Sequence, residues 1–217
     1  MSRFEVQRRR MVERQLTDID EPRVRAALGD VPRHLFVEPV LQGRAYEDRP
    51  LPIGKGQTIS QPWTVARMTC LLELEGGETV LEIGTGSGYQ AAILSKLCKR
   101  VVTVERHGDL AQGARRLLTE LGCHNVTVLV ADGTLGRSDL GPFDAILVAA
   151  GAPGVPGPLT EQLKPGGRLV VPVGDEGAQT LVRVTRLEDG DGEETLREER
   201  FEACRFVPLI GMFGWKP

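Results

Sequence analysis

Apolar residues in the middle of the chain form short runs that alternate with segments of helical periodicity. The short runs predict buried strands at residues 79–83, 100–104, 126–130, 145–149 and 168–173. Between them, apolar residues recur at helical spacing over residues 91–99, 110–121 and 159–163. Strands that alternate with helices are typical of a parallel sheet with helices on both faces. The middle of the chain therefore predicts a doubly wound α/β fold.

The N-terminal part of the chain has a different pattern. Residues 1–45 are mostly helical in periodicity, with Pro22 in the first turn of a helix that Pro32 ends. Residues 46–62 are rich in proline and glycine and predict an irregular loop. A helix over residues 62–74 is expected to follow, because its apolar residues form one stripe.

The alternation also stops towards the C-terminus. Residues 180–187 predict a strand, residues 188–192 a turn, and a final strand lies within residues 197–209. No helix fits between these strands, so we expect them to pair antiparallel. The complete prediction is a mostly parallel Rossmann-like sheet, with antiparallel C-terminal strands and an N-terminal helical extension.

The length and the charge of the chain limit its possible domain organisation and binding partners. The 217 residues suit one domain, which we expect to comprise a helical cap with an active-site loop at 1–62 and a core at 63–217. The formal net charge of −3 argues against a nucleic-acid partner, because such proteins usually carry a basic stripe. We therefore expect a globular protein that does not bind nucleic acid.

Cysteine and histidine spacing gives no sign of a metal site or a disulfide framework. The four cysteines and three histidines are scattered along the chain, at Cys70, Cys98, Cys123, Cys204, His34, His107 and His124. Reduced thiols are the default in the cytoplasm. No apolar run approaches the roughly 20 residues of a membrane span. We expect a cytoplasmic protein without a metal or a membrane partner.

A glycine-rich turn joins the predicted strand at 79–83 to the helix that follows. Glycine lets the backbone turn tightly and approach a ligand where a Cβ atom would clash. The turn lies at the carboxyl end of a parallel strand, where such sheets bind cofactors. The expected cofactor-binding residues of this segment are Glu82, Gly84, Thr85, Gly86, Ser87 and Gly88.

Two acidic residues follow the next two strands. Glu105 comes about 20 residues after the glycine turn, at a distance typical of a carboxylate that accepts hydrogen bonds from ribose hydroxyls. Its alternative is a solvated glutamate at a strand end. Asp132 ends the strand at 126–130 and could bind an adenine amino group or simply cap a turn. We place Arg106 and Gly133, their neighbours, in the same cofactor site.

The spacing of the glycines discriminates between cofactors. A dinucleotide fold requires Gly-x-Gly-x-x-Gly, whereas the turn reads Gly-x-Gly-x-Gly. A serine hydrolase elbow requires Gly-x-Ser-x-Gly, but Thr85 and Tyr89 flank Ser87. A phosphate-binding loop requires Gly-Lys-Ser/Thr, which is absent. The turn therefore favours S-adenosylmethionine, and with it a methyltransferase.

Several stretches of the chain resemble the bacterial protein-L-isoaspartate O-methyltransferases. The resemblance covers nearly the whole chain, and its most specific part runs from Gln57 to Pro62. It implies a methyltransferase that uses S-adenosylmethionine, releases S-adenosylhomocysteine and methylates the free α-carboxylate of isoaspartyl residues in damaged proteins. We also expect a monomer. The matching stretches are residues 31–37, 53–62, 80–90, 142–146, 163–168, 172–174 and 205–209.

The resemblance also assigns the substrate site. The catalytic serine maps onto Ser60, and the ribose-binding acid onto Glu105. Local sequence gives Ser60 an alternative, because serine before Gln61-Pro62 and a helical stripe is also a good N-cap. Pro208 lacks an N–H group, so the segment that carries it belongs at a sheet edge, where an extended peptide could pair. The expected substrate-binding residues are Thr58, Ile59, Ser60, Val207, Pro208 and Leu209.

Two other functions stay open from the sequence. One is a carboxyl O-methyltransferase with the same fold that acts on a specific modified peptide or a small acid. The other is a cofactor-binding partner protein without activity, against which Ser60 and Glu105 argue. Trp63 stands where many relatives have tyrosine or histidine, which leaves the details of the substrate mouth open.

Overall fold

The computed structural model describes residues 2–188 and 194–216. Within them, a seven-stranded sheet is the centre of the fold, and a two-stranded hairpin lies apart from it. The hairpin consists of β1 and β2. The strands are β1 (Leu51–Gly54), β2 (Gln57–Ile59), β3 (Thr79–Ile83), β4 (Arg100–Glu105), β5 (Val126–Val130), β6 (Phe143–Val148), β7 (Leu163–Asp175), β8 (Ala178–Glu188) and β9 (Glu194–Cys204).

The helices precede the sheet or lie between its strands. Shorter 3₁₀ turns occur at Arg33–Phe36, Pro39–Arg44 and Gly133–Leu135. The α-helices are α1 (Arg3–Gln15), α2 (Pro22–Asp30), α3 (Pro62–Leu71), α4 (Tyr89–Ser95), α5 (Gly108–Glu120) and α6 (Gly157–Thr160).

The strand order of the large sheet is β5-β4-β3-β6-β7-β8-β9. The pairs among β5, β4, β3, β6 and β7 are parallel. The pairs β7–β8 and β8–β9 are antiparallel. This order confirms the predicted doubly wound sheet with antiparallel C-terminal strands. The order reverses between β3 and β6, so the carboxyl ends of these two strands open a crevice where such sheets bind ligands.

Successive side chains of β3 point to opposite faces of the sheet, and each face has its own apolar core. Val80 points to the core that contains Leu94 and Leu118 of α4 and α5. Leu81 and its neighbours on that face point to a second core with Leu159 of α6 and Leu209. The buried sheet thus holds the ends of its strands, and the residues that follow them, in fixed positions.

The predicted irregular loop over residues 46–62 was wrong in part, because it contains the hairpin of β1 and β2. Gly54, Lys55 and Gly56 all have left-handed φ angles, of 90°, 53° and 70°, which allow the chain to reverse tightly. The Lys55 ammonium group lies 2.8 Å from a carboxylate oxygen of Asp109 at the start of α5. This ion pair fixes the hairpin tip beside the crevice.

Other boundaries differ by a few residues. The helix predicted over 62–74 ends at Leu71, and the predicted helix over 159–163 is only the four-residue α6, because Leu163 already belongs to β7. The final strand begins before residue 197 and ends at Cys204. Of the predicted turn at 188–192, residue 188 belongs to β8 and the rest lies outside the described residues.

Candidate active site

The glycine turn after β3 adopts a conformation that side chains would prevent. Gly84, Gly86 and Gly88 have φ angles of 94°, 52° and 91°, in the left-handed region that favours glycine. A Cβ atom on Gly86 would lie 3.0 Å from Cδ1 of Ile53 in the hairpin. The amide of Gly84 donates a 2.8 Å hydrogen bond to the carbonyl of Val104, which ties the turn to β4.

Glu105, at the end of β4, holds the glycine turn directly. One carboxylate oxygen accepts a 2.8 Å hydrogen bond from the amide of Gly86, and the other accepts a 2.9 Å bond from the amide of His107. The residue is buried, with 5% of its surface exposed. The alternative of a solvated glutamate was therefore wrong.

A cavity lies between the glycine turn, the hairpin and the segment at 207–210. It brings together most of the predicted cofactor residues with most of the predicted substrate residues. From the cofactor prediction, the residues that line it are Gly84, Thr85, Gly86, Ser87, Glu105, Arg106 and Gly133. From the substrate prediction, they are Thr58, Ile59, Ser60, Val207 and Leu209.

Glu82 does not line this cavity, so its predicted contact with the cofactor is corrected. Its side chain lies on the same face of β3 as that of Val80 and is fully buried in the sheet. Among the described residues, neither of its carboxylate oxygens has a hydrogen-bond partner. Burial, together with a smaller effect of the Glu105 charge, raises the pKa of Glu82 to about 8 against the opposing effect of the Thr103 side chain. The carboxyl group is therefore mostly protonated at neutral pH.

Gly88 is also outside the cavity, and packing explains why it is glycine. A Cβ atom there would lie 3.2 Å from the Cβ of Ala114 and 3.3 Å from Cδ1 of Leu118, both on α5. Its absence lets α5 pack closely against the glycine turn. Gly88 thus positions the turn and does not line the cavity.

Asp132 caps a turn, which was the alternative to its adenine role. One carboxylate oxygen accepts from the amide and the hydroxyl of Thr134, at 2.9 and 2.7 Å. The other accepts a 2.9 Å bond from the amide of Met212. The aspartate joins the turn after β5 to the C-terminal segment, while its neighbour Gly133 reaches the cavity.

Ser60 is not the N-cap of α3, so that alternative was wrong. The N-cap position is Gln61, and Asp48 supplies the cap from a distance. The Asp48 carboxylate accepts a 2.9 Å bond from the amide of Trp63 and a 3.2 Å bond from the Gln61 side chain. Among the described residues, the Ser60 hydroxyl has no hydrogen-bond partner, and it lies on the cavity wall. It is free to bind a ligand.

The segment after β9 completes the other wall of the cavity. The Val207 carbonyl accepts from the amide of Gly151 at 2.8 Å, and the Leu209 amide donates to the Gly151 carbonyl at 2.7 Å. The side chain of Trp215 donates to the same carbonyl at 3.1 Å. Pro208 is exposed and does not line the cavity, because it alternates with Val207 and Leu209. One side of this edge is therefore already paired.

The described parts of the chain lack two kinds of feature. Residues 2–188 and 194–216 contain no group of three or more histidine, cysteine, aspartate or glutamate residues placed to hold a metal ion. None of the helices in these residues is both long enough and apolar enough to cross a membrane.

The chain matches a known protein family over most of its length. The model of the protein-L-isoaspartate(D-aspartate) O-methyltransferase family matches residues 7–213. The chain belongs to this family. The match includes the hairpin, the glycine turn and the segment at 207–210.

Individual members of the family support the assignment. A protein-L-isoaspartate O-methyltransferase of Trichlorobacter lovleyi is 56% identical over 218 residues, which cover 100% of this chain and 99% of that protein. A solved protein-L-isoaspartate O-methyltransferase has a TM-score of 0.83 at 28% identity, with 95% of this chain and 67% of that chain covered. A Plasmodium falciparum protein solved with S-adenosyl-L-homocysteine shares the fold, at TM-score 0.79 and 23% identity over 97% of this chain and 99% of that one.

The structure adds residues to this family site that sequence reasoning missed. Ile53, Met68 and Gln90 also line the cavity, from the hairpin, α3 and α4. The Gln90 side chain donates a 3.0 Å hydrogen bond to the hydroxyl of Thr69. Met68 was predicted only as part of an apolar stripe, since helical periodicity does not distinguish core from cavity wall.

Trp63 binds the Asp18 carboxylate through its indole nitrogen, at 2.8 and 3.0 Å, and is not part of the wall.

Proposed function

We propose that this chain transfers a methyl group from S-adenosylmethionine to the free α-carboxylate of isoaspartyl residues in damaged proteins. The resulting ester collapses to a succinimide, whose hydrolysis returns some normal aspartate. The observation that carries the proposal is the free hydroxyl of Ser60 on the wall of the cavity that Glu105 and the glycine turn also line, in a chain of this family.

The residues present fit S-adenosylmethionine. Gly84 and Gly86 form a cradle that a Cβ atom would obstruct, so a ligand can approach the backbone closely. Glu105 lies on the cavity wall at the end of β4, and its carboxylate can accept from ribose hydroxyls. Only one basic side chain, Arg106, is on the described wall, which suits a cofactor without phosphate groups.

The chemistry needs alignment more than acid–base catalysis. S-adenosylmethionine supplies an electrophilic methyl group when bound. The α-carboxyl of an isoaspartyl residue has a reference pKa of about 3.5, so it is ionised at neutral pH and requires no general base. Ser60 donates one hydrogen bond that orients this carboxylate. Correct orientation of two reactants can lower a barrier by up to about 7–11 kcal/mol.

The remaining wall residues hold the peptide and exclude water. Ile59 and Leu209 are buried apolar residues on opposite walls, and Val207 is partly buried beside Leu209. Exclusion of water strengthens the hydrogen bond from Ser60 to the substrate carboxylate. Thr58 contributes a second hydroxyl to the same wall. In this proposal Val207, Leu209 and Thr58 contact the substrate, while Pro208 shapes the segment.

The proposal extends to the organisation of the enzyme. The chain acts as one methyltransferase domain, with residues 1–62 as cap and active-site loop and residues 63–217 as the core. It works as a cytoplasmic monomer on isoaspartyl peptides and proteins, without nucleic acid, membrane or metal. The single domain is supported by the continuous apolar core, which packs residues of α1 and α2 against those of α4 and α5.

Paired peptides test the function. Two synthetic peptides identical except for aspartate or isoaspartate at one position are incubated with the chain and S-adenosylmethionine carrying a labelled methyl group. We expect label in the isoaspartyl peptide and only background in the other. Equal labelling of both peptides, or of neither, would contradict the proposal.

Ser60→Ala is expected to lower kcat by about 10- to 100-fold, because a hydrogen bond to a charged group contributes roughly 1.5–3 kcal/mol. The affinity for S-adenosylmethionine should change by less than about twofold, since Glu105 and the glycine turn are intact. Steady-state kinetics and isothermal titration measure the two effects. Ser138→Ala, at an exposed serine outside the cavity, is the matched control. A variant that loses affinity but keeps kcat would refute the assigned role.

A further inference from the structure

A second, smaller crevice lies on the outer side of the wall that carries Ser60. Thr58 and Ser60 line both this crevice and the main cavity, as do Ala149 and Val207. A peptide whose reacting carboxylate lies against Ser60 in the main cavity therefore has its neighbouring residues beside the crevice. Gln61, Thr64 and Arg205 complete the polar part of the crevice wall.

Arg205 brings an uncompensated positive charge to this crevice. It is exposed, directly after β9, and has no ion pair or hydrogen bond with any residue that the structure describes. Arg200, within β9, differs because its guanidinium lies 2.8 Å from the carboxylate of Glu198. The contrast leaves Arg205 available to an external anion.

The chemistry of the crevice wall also favours an anion. Thr58, Ser60 and Thr64 offer hydroxyl donors, and no carboxylate is among the described lining residues. The nearby Asp48 carboxylate already accepts from the Trp63 amide and the Gln61 side chain. A guanidinium group beside hydroxyl donors matches the geometry of a carboxylate.

The anion in question is different from the reacting carboxylate. Methyl transfer neutralises the reacting carboxylate, so a cation bound to it would stabilise the ground state more than the transition state and would slow the reaction. Arg205 is better placed to bind a carboxylate whose charge does not change during turnover. A flanking acidic side chain of the substrate fulfils this condition.

We propose that Arg205 is a specificity-determining residue that binds the carboxylate of an acidic side chain next to the isoaspartyl residue in the substrate. This inference rests on the proposed isoaspartyl methyltransferase function. It assigns a class of preferred substrate: isoaspartyl sites in acidic sequence surroundings.

Three isoaspartyl peptides test the inference. They are identical except that both flanking residues are glutamine, or only the preceding one is glutamate, or only the following one is glutamate. At low ionic strength we expect one glutamate peptide to have a kcat/KM about three- to fivefold above that of the glutamine peptide, mainly through KM. The advantage should shrink at high salt, because exposed charges are screened.

Variants attribute the preference to one side chain. Arg205→Gln should remove the advantage, and Arg205→Glu should reverse it to a disadvantage. Arg10→Gln is the matched control, since Arg10 is exposed on α1, far along the chain from the crevice, and has no partner among the described residues. The control should keep the wild-type preference. Thermal melts check that each variant is folded.

The possible failures are distinguishable. Equal kcat/KM for the three peptides with the wild-type chain, or an advantage that survives in Arg205→Gln, overturns the role of Arg205 and leaves the methyltransferase function standing. Absence of labelling in all three peptides overturns both the function and the inference that depends on it.

Discussion

A Glu105→Ala variant is expected to bind S-adenosylmethionine about 100-fold more weakly than the wild-type chain. The buried carboxylate fixes the glycine turn through the amide of Gly86, and it is the acceptor proposed for the ribose hydroxyls. Hydrogen bonds to a charged group contribute roughly 1.5–3 kcal/mol each, so the loss of more than one reaches this magnitude. Isothermal titration with S-adenosylmethionine measures the affinity.

Two further variants make the Glu105 result interpretable. Glu105→Gln keeps the size of the side chain, so it separates the loss of charge from a collapse of the glycine turn. Glu120→Ala removes an exposed carboxylate from the last residue of α5 and should bind the cofactor as the wild type does. Unchanged affinity in both Glu105 variants would show that the ribose acceptor lies elsewhere.

Glu82→Gln should stabilise the fold at pH 8 by up to about 4 kcal/mol and have little effect near pH 5. Burial raises the pKa of Glu82 to about 8, whereas the ordinary value is 4.5. Between these two values the unfolded chain releases a proton that the folded chain retains, so the stability of the wild type falls as pH rises. Each pKa unit corresponds to about 1.4 kcal/mol, and glutamine has no proton to lose.

Urea unfolding of both proteins at several pH values between 5 and 8 measures this effect. The difference in the free energy of unfolding between variant and wild type should grow steadily across the range. Glu120→Gln, at an exposed glutamate, should give a difference independent of pH. A difference for Glu82→Gln that is constant or shrinks towards pH 8 would mean that this carboxyl is ionised in the folded protein.

The sequence predicts the bounds of two strands correctly, β3 in the buried middle of the sheet and β5 at its edge. The runs at 79–83 and 126–130 match β3 and β5, because they are short apolar stretches rich in β-branched residues and bounded by turns. The hairpin of β1 and β2 was missed, since Pro52 and the glycines around Lys55 are typical of loops. Its strands depend on each other and on contacts with the glycine turn, not on local periodicity.

Some residues of the candidate site could be predicted from the sequence, and others could not. Local spacing was sufficient to find the glycine turn and Glu105, because a strand, a turn and a helix fix their geometry within a few residues. Contacts between distant parts of the chain decided the rest. Asp48 caps α3 from 15 residues away, and Asp132 binds the amide of Met212 across 80 residues. A single sequence gives no signal for such pairs, which is why Asp48 was not predicted as the cap of α3 and the two roles of Asp132 stayed open.

The attachment of residues 207–215 to Gly151 and Asp132 has a consequence for synthesis. Proteins are made from the N-terminus, and these residues follow every strand of the large sheet. A growing chain can therefore complete the glycine turn and Glu105 before it has Val207 and Leu209. Such a nascent chain has the wall of the cavity formed by the glycine turn and Glu105 but lacks the wall formed by Val207 and Leu209. A nascent chain that lacks residues 207–210 therefore lacks two of the residues proposed to contact the substrate.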